Sequence, residues 1–223
     1  MRGLSFLLTL SMAVAMHGQI RVVNAGFGGR NTAELEKRFV HELAEAKPAY
    51  VVLFAGTNDA LNDAKFLTPA ETRAHFTAMV RQAQAAGAAV VLVTVHDPDL
   101  TRLLKRHRPE VYGNLPPLER VAQVNTVIEE VARENHAAVV PFHDILQQAG
   151  GASAELSTDG VHLTAKGYGM LAAAVRSKLP QQISPNVSIL CMGDSLTYGI
   201  GVRPDGTPET AETYPSQLSA LLR

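Results

Sequence analysis

Five short apolar runs punctuate the chain: IRVVN (20–24), YVVLFA (50–55), AVVLVTV (89–95), AVVPF (138–142) and VSILCM (187–192). Each is rich in branched aliphatic residues and lacks strict polar alternation, the pattern of strands covered on both faces. Between them, apolar residues recur every three to four positions, which predicts helices over 32–46, 69–86, 117–135 and 164–179, and a last one over 213–222. Leu118, Val121, Val124, Ile128 and Val131 make one such stripe. Thr68 followed by Pro69 reads as an N-cap with proline at the first helical position, where its missing N–H is not needed. The alternation predicts one α/β domain over 20–223, a parallel sheet with helices on both faces. No linker, repeat or low-complexity tract divides it.

Two stretches depart from this pattern. Residues 96–117, HDPDLTRLLKRHRPEVYGNLPP, are long for a connection and hold five basic-type residues between Arg102 and Arg108. The segment follows a strand's C-terminal end, where ligands bind in open α/β sheets, so it reads either as a solvated excursion or as a lid or wall over a site. Residues 1–19 carry an early arginine, an apolar run from Leu4 to Met16, and Ala13-Val14-Ala15. That is the pattern of a secretory signal cleaved after residue 15, or of a retained apolar cap. The first reading implies a secreted or periplasmic protein and the second a cytoplasmic one. The run is too short to span a bilayer comfortably, so no stable membrane insertion is expected.

A net charge of −1 leaves no footprint for nucleic acid. Small molecules are the expected partners. The single Cys191 excludes an intramolecular disulfide and a cysteine metal cluster, and its apolar strand makes it a small core residue. No cluster of metal ligands is apparent, and neither a metal nor another cofactor is expected.

Candidate chemistry gathers where apolar runs end. VSILCM runs into Gly193-Asp194-Ser195, which would set a hydroxyl at the C-terminal edge of the sheet beside free backbone N–H groups. In STDGVHLTAKGY, Asp159 stands three residues before His162, a spacing that lets a carboxylate hold Nδ1 while Nε2 faces a hydroxyl. His96 and His143 also follow strands and are second choices as base. VVNAGFGGRNT brings Gly28 and Gly29 into a turn open to close approach, and LFAGTNDAL places the Asn58 carboxamide after a strand. Taken singly, each is also an ordinary turn or helix cap.

Together the blocks are more specific. GDSL at 193–196, GFGG at 26–29, GTND at 56–59 and DGVH at 159–162 resemble the four signature blocks of the SGNH hydrolases, also called GDSL esterases and lipases. The resemblance covers about residues 20–223. It implies a three-layer α/β/α fold around a five-stranded parallel sheet in the flavodoxin-like order 2-1-3-4-5. It implies Ser195 as nucleophile, His162 as general base and acid, and Asp159 as its orienting carboxylate. The oxyanion hole would be the backbone N–H groups of Ser195 and Gly29 with the Asn58 side chain, and Asp194 and Asp59 would support these groups. Gly29 is preferred to Gly28 because members of the resembled family usually place that glycine five residues after the strand-end asparagine, here Asn24.

One departure from the family is large: the serine block comes last instead of first. A circular permutation accounts for this, with SKLPQQISPN (177–186) joining the last family helix to the serine strand. Fully extended, ten residues reach roughly 35 Å, ample for that join. A truncated second domain, or a dimer exchanging its serine segment, would give the same order; either a monomer or a dimer is compatible with the sequence. An α/β-hydrolase nucleophile turn is excluded because Thr197 stands where its second glycine belongs. GFGGRN lacks the glycine spacing and the acidic partner of a dinucleotide site. The expected activity is hydrolysis of carboxylic esters with short acyl groups such as acetyl. The nearest rivals are lysophospholipid or acyl-thioester hydrolysis, and the rival of another class is a catalytically silent ligand-binding domain.

Overall fold

In the computed structural model, which describes residues 19–223, the five apolar runs form five parallel strands. These are β1 (Arg21–Gly26), β2 (Tyr50–Phe54), β3 (Ala89–Val93), β4 (Ala138–Val140) and β5 (Ser188–Gly193). Long helices follow them in the expected places: α1 (Thr32–Ala46), α3 (Pro69–Ala85), α5 (Pro117–Glu134), α7 (Ala165–Lys178) and α9 (Tyr214–Leu221). Four shorter helices, α2 (Thr57–Leu61), α4 (Leu100–Leu103), α6 (Phe142–Gln148) and α8 (Ser195–Tyr198), stand after strand ends or on loops. The leader and its cleavage site, 1–15, lie outside the described residues. No helix among the described residues is long and apolar enough to cross a membrane.

Local sequence explains where the helices start. Asn31 and Thr68 each accept the N–H of the residue three positions on, Glu34 or Glu71, whose carboxylate bonds back to the cap. These reciprocal caps satisfy N–H groups that the first helical turn leaves free. The run AVVPF yields a strand only as far as Val140, because Pro141 has no N–H for the ladder and Phe142 opens α6. Leu118 is exposed rather than part of the buried stripe, which runs instead from Val121 through Val124, Val127 and Ile128 to Val131.

The sheet order is β1-β5-β2-β3-β4. The last strand in the chain therefore lies inside the sheet, Arg21 to Gly26 of β1 facing Ser188 to Gly193 on one edge and Tyr50 to Phe54 of β2 facing Ile189 to Gly193 on the other. Its side chains alternate between two cores. Leu190 and Met192 join Leu35, Phe39, Phe76 and Ile128 from α1, α3 and α5. Ile189 and Cys191 join Leu171, Val175 and Leu218 from α7 and α9 on the other face. Covering both faces makes three layers, and all six residues of β5 are buried. Cys191 behaves as the small core residue expected: burial pushes its thiol up to about 12.

Two glycines let the end of β5 turn sharply. A methyl group on Gly193 would lie 2.0 Å from the Phe54 carbonyl oxygen and 2.2 Å from Thr197 Oγ1, and one on Gly26 would lie 2.0 Å from the Tyr198 nitrogen. Both obstacles include backbone, so neither can swing aside. Gly28, by contrast, has no atom within 4 Å of an added methyl. Gly193→Ala is expected to lower stability by about 3 kcal/mol or more, against under ~1 kcal/mol for Gly28→Ala, in urea unfolding with unchanged m. Equal midpoints for the two variants would contradict this packing.

Candidate active site

The C-terminal ends of β5, β1 and β2 open into a cleft of about 500 Å³ whose wall includes Gly28, Gly29, Asn58, His162 and Ser195. Ser195 is the first residue of α8, and Asp194 caps that helix by accepting the Leu196 N–H at 3.0 Å. The cap holds the serine hydroxyl at the mouth of the turn. Across the cleft, residues 157–163 form a tight loop closed by a single antiparallel bridge between Ser157 and Leu163. Within it Ser157 Oγ donates to the His162 carbonyl at 2.9 Å and accepts the Gly160 N–H at 2.8 Å.

The loop turns His162 toward the serine. His162 Nε2 lies 3.0 Å from Ser195 Oγ, and Nδ1 lies 2.7 Å from Asp159 Oδ2. Asp159 Oδ1 accepts the backbone N–H groups of Val161 and His162 at 2.9 and 2.8 Å. Burial would raise the pKa of this carboxyl, but the His162 hydrogen bond and charge, with the two backbone donors, outweigh it and hold Asp159 well below the usual carboxylate range. An ionised carboxylate on Nδ1 fixes the tautomer in which Nε2 can take a proton from the hydroxyl.

Of the second-choice histidines, neither meets Ser195. His96 is buried, and burial pushes it down to about 4, so it is neutral at ordinary pH. Its Nε2 donates to the Val161 carbonyl at 2.8 Å, and thereby steadies the loop that carries His162. His143 bonds Asp144 at 2.8 Å and faces Asp97 at 3.3 Å. Burial disfavours its charge, but those two carboxylates outweigh burial and raise its pKa.

The residues expected as donors, Gly29, Asn58 and Ser195, line the same cleft. Asn58 sits in the first turn of α2, its Oδ1 accepting from Asn62 Nδ2 at 3.0 Å and its Nδ2 donating to the Arg30 carbonyl at 3.1 Å. These bonds orient a carboxamide that retains a second N–H. Gly29 has φ +69°, a left-handed conformation that favours glycine, and an added methyl would meet nothing within 4 Å. Gly28 lines the same wall. Asp59 points the other way, into protein. It accepts the Thr32 N–H at 3.0 Å, the Thr72 hydroxyl at 3.0 Å and, in a short contact, the Thr32 hydroxyl, tying α2 to the starts of α1 and α3. Burial raises its pKa against those bonds.

The 96–117 segment forms part of the wall, supplying Leu103, Arg106 and His107. Tyr112, in a 3₁₀ turn at 109–112, donates to the Leu61 carbonyl at 2.9 Å and anchors the segment to α2. Arg106 donates to Asp159 Oδ2, a contact between segments that neither stretch reveals alone. The basic cluster at 102–108 was its one sequence signal.

Comparisons with known proteins bear on the family and the fold. Residues 8–170 match the model of the GDSL-like Lipase/Acylhydrolase family, well over half the chain. Esterase TesA of Pseudomonas aeruginosa is 32% identical over 142 residues, 64% of this chain and 61% of that protein. The chain thus spans less than two thirds of this curated relative. Among solved structures, a lipase/acylhydrolase from Enterococcus faecalis superposes with a TM-score of 0.55 at 26% identity, covering 70% of this chain and 75% of the other. A GDSL-like lipase from Bacteroides thetaiotaomicron reaches 0.57 at 23% identity, covering 67% and 70%, a likeness of fold.

Asp194 supplies a pH test of the serine turn. Burial, opposed by the Leu196 N–H, pushes its carboxyl up to about 6, and Oδ2 and Thr57 Oγ1 are both buried without a well-formed hydrogen bond. A raised carboxyl pKa means the native state holds the extra proton, so this group's contribution to stability falls as pH rises from about 4 to 6. Asp194→Asn keeps an oxygen for the Leu196 N–H and removes the ionisation. Relative to wild type, the variant should gain about 2–3 kcal/mol between pH 4 and pH 7 in urea unfolding. A pH-independent offset would refute the assignment.

Proposed function

Because the chain belongs to the GDSL-like lipase/acylhydrolase family, we propose that it hydrolyses carboxylic esters through a serine acyl-enzyme. One observation carries the reading: the continuous chain Ser195 Oγ, His162 Nε2, His162 Nδ1, Asp159 Oδ2, with links of 3.0 and 2.7 Å, at the wall of an open cleft. Ser195 Oγ attacks the ester carbonyl carbon as His162 Nε2 accepts its proton, and Asp159 stabilises the imidazolium. The oxyanion is held by the backbone N–H groups of Ser195 and Gly29 and by Asn58 Nδ2. Collapse breaks the bond to the alcohol oxygen, which leaves with the proton from His162. Water then repeats the sequence on the acyl-enzyme, giving its proton to His162, and the acid is released with Ser195 restored.

Short acyl groups are the favoured substrates. Polar Arg106, His107 and Asp205 interrupt the apolar lining of the cleft. Such a wall suits an acetyl or similar group better than a long alkyl chain.

The same reading takes the block order as a circular permutation of the family fold. It is supported by the sheet order, in which the serine strand comes last in the chain yet sits second in the sheet. It is supported too by the meeting of the segment before β1 with the end of α9: Gln19 and Ile20 share one surface pocket with Leu222 and Arg223, and with Ile183 and Pro185 of the join.

A fluorophosphonate should label the wild type once, at Ser195, and leave Ser195→Ala unlabelled, with kcat/KM on p-nitrophenyl esters highest for acetate to butyrate and falling for longer chains. An unlabelled, inactive wild type removes the esterase reading; a maximum at long chains removes the short-acyl one. For the permutation, a chain reordered as 187–223 followed directly by 20–179 should fold to a monomer whose unfolding free energy is the same within about 1 kcal/mol and retain ester hydrolysis. A reordered chain that is insoluble or active only as a dimer would favour segment exchange.

A further inference from the structure

Asp159 carries more donors than the triad needs. Oδ1 takes the N–H groups of Val161 and His162, while Oδ2 takes both His162 Nδ1 and the guanidinium of Arg106. Arg106 approaches from the segment after α4, and among the described residues that line the cleft it is the one lysine or arginine. A guanidinium on the oxygen that faces the imidazole opposes the field by which that oxygen stabilises an imidazolium.

We propose that Arg106 is a positioning residue that sets the acid limit of the reaction, keeping His162 a neutral base at lower pH than the Asp159–His162 pair alone would. The proposal rests on the ester-hydrolase reading of the same site. The groups that face His162 leave this role to Arg106. On its own loop stands Asp159, whose charge favours the imidazolium. From α8 come Ser195, which is neutral, and the buried Asp194 behind it. From the end of β3 comes His96, which meets the loop through the Val161 carbonyl, with His143 and its partners Asp97 and Asp144 beyond. His107 and Asp205 line the cleft, and His107 is bonded to Asp63 at 3.1 Å.

The segment that delivers Arg106 is fixed independently of it. Arg102 binds the Asp99 carboxylate at 3.0 Å, the Ser157 carbonyl at 2.9 Å and, in a short contact, the Ala152 carbonyl. The Asp99 N–H donates to the Gly160 carbonyl at 2.9 Å, and Gly160, at φ +92°, has Arg102 Cβ 2.9 Å from where a methyl would stand. Three hydrogen bonds, to Ala152, Ser157 and Gly160, thus hold α4 against the Asp159 loop and the residues before it without Arg106. Removing the Arg106 guanidinium therefore tests charge rather than folding.

The pair is partly exposed, so the effect is moderate and screened by salt. In Arg106→Gln the acid limb of the kcat/KM–pH profile should move up by about half to one pH unit, a three- to tenfold loss on the acid side, and Arg106→Lys should recover most of it. Raising salt from about 0.05 to 1 M should move the wild-type limb toward that of Arg106→Gln and leave the variant's limb in place. The same displacement should appear in the NMR titration of the His162 ring protons in a Ser195→Ala background, which needs no turnover. An unmoved limb and an unmoved titration overturn the proposal, whatever happens to KM. A moved titration in a protein that neither hydrolyses esters nor takes the fluorophosphonate label upholds the coupling and removes the esterase reading.

Discussion

Everything in this molecule hangs on the double pairing of β5. Its six residues pair with β1 on one edge, five of them pair with β2 on the other, and their side chains are buried in both cores. An inner strand cannot be left out without stripping two neighbours of their ladder partners and opening both apolar layers, and buried backbone groups without partners are costly. The candidate nucleophile is joined to that strand by one residue, Asp194. Its position is therefore inherited from the most constrained element in the fold, and the turn that presents it is confined by the backbones of β2 and of α8 itself.

The opposite half of the site is built differently. Asp159 and His162 belong to a short loop with one bridge, and its shape comes from polar contacts: Ser157 within the loop, His96 beneath it, and α4 against Gly160. A rigid strand end thus faces a loop held by hydrogen bonds. The separation between hydroxyl and imidazole depends on both, which is why a neutral buried histidine and an arginine-braced helix matter to a serine–histidine contact they take no part in.

Much of this was legible in the sequence. Five strands and five long helices follow from apolar runs, stripes and the Thr68 cap, because both faces of the sheet are covered and the pattern is strong. The Ser195, His162 and Asp159 set was legible through the four blocks and their spacing. The four short helices were not, since four to seven residues hold too few periods to stand out from a loop. Nor were Arg106 on Asp159 or Asp59 between Thr32 and Thr72, which join residues 53, 27 and 13 positions apart. Such contacts are set by packing, on which local pattern is silent. The two readings of 96–117 resolve toward a wall, anchored by Tyr112 and Arg102.

The pairing of Arg21 with Ser188 also has a temporal side. On a ribosome β1 and β2 emerge early, yet the strand that separates them arrives only after nearly all the intervening chain, so the two cannot close into their final sheet as they appear. Contacts of such sequence separation slow folding, and strands held waiting expose unpaired edges. For this chain the interval between the first strand and the last is a period of vulnerability, bridged by the local helices and caps that can form without β5.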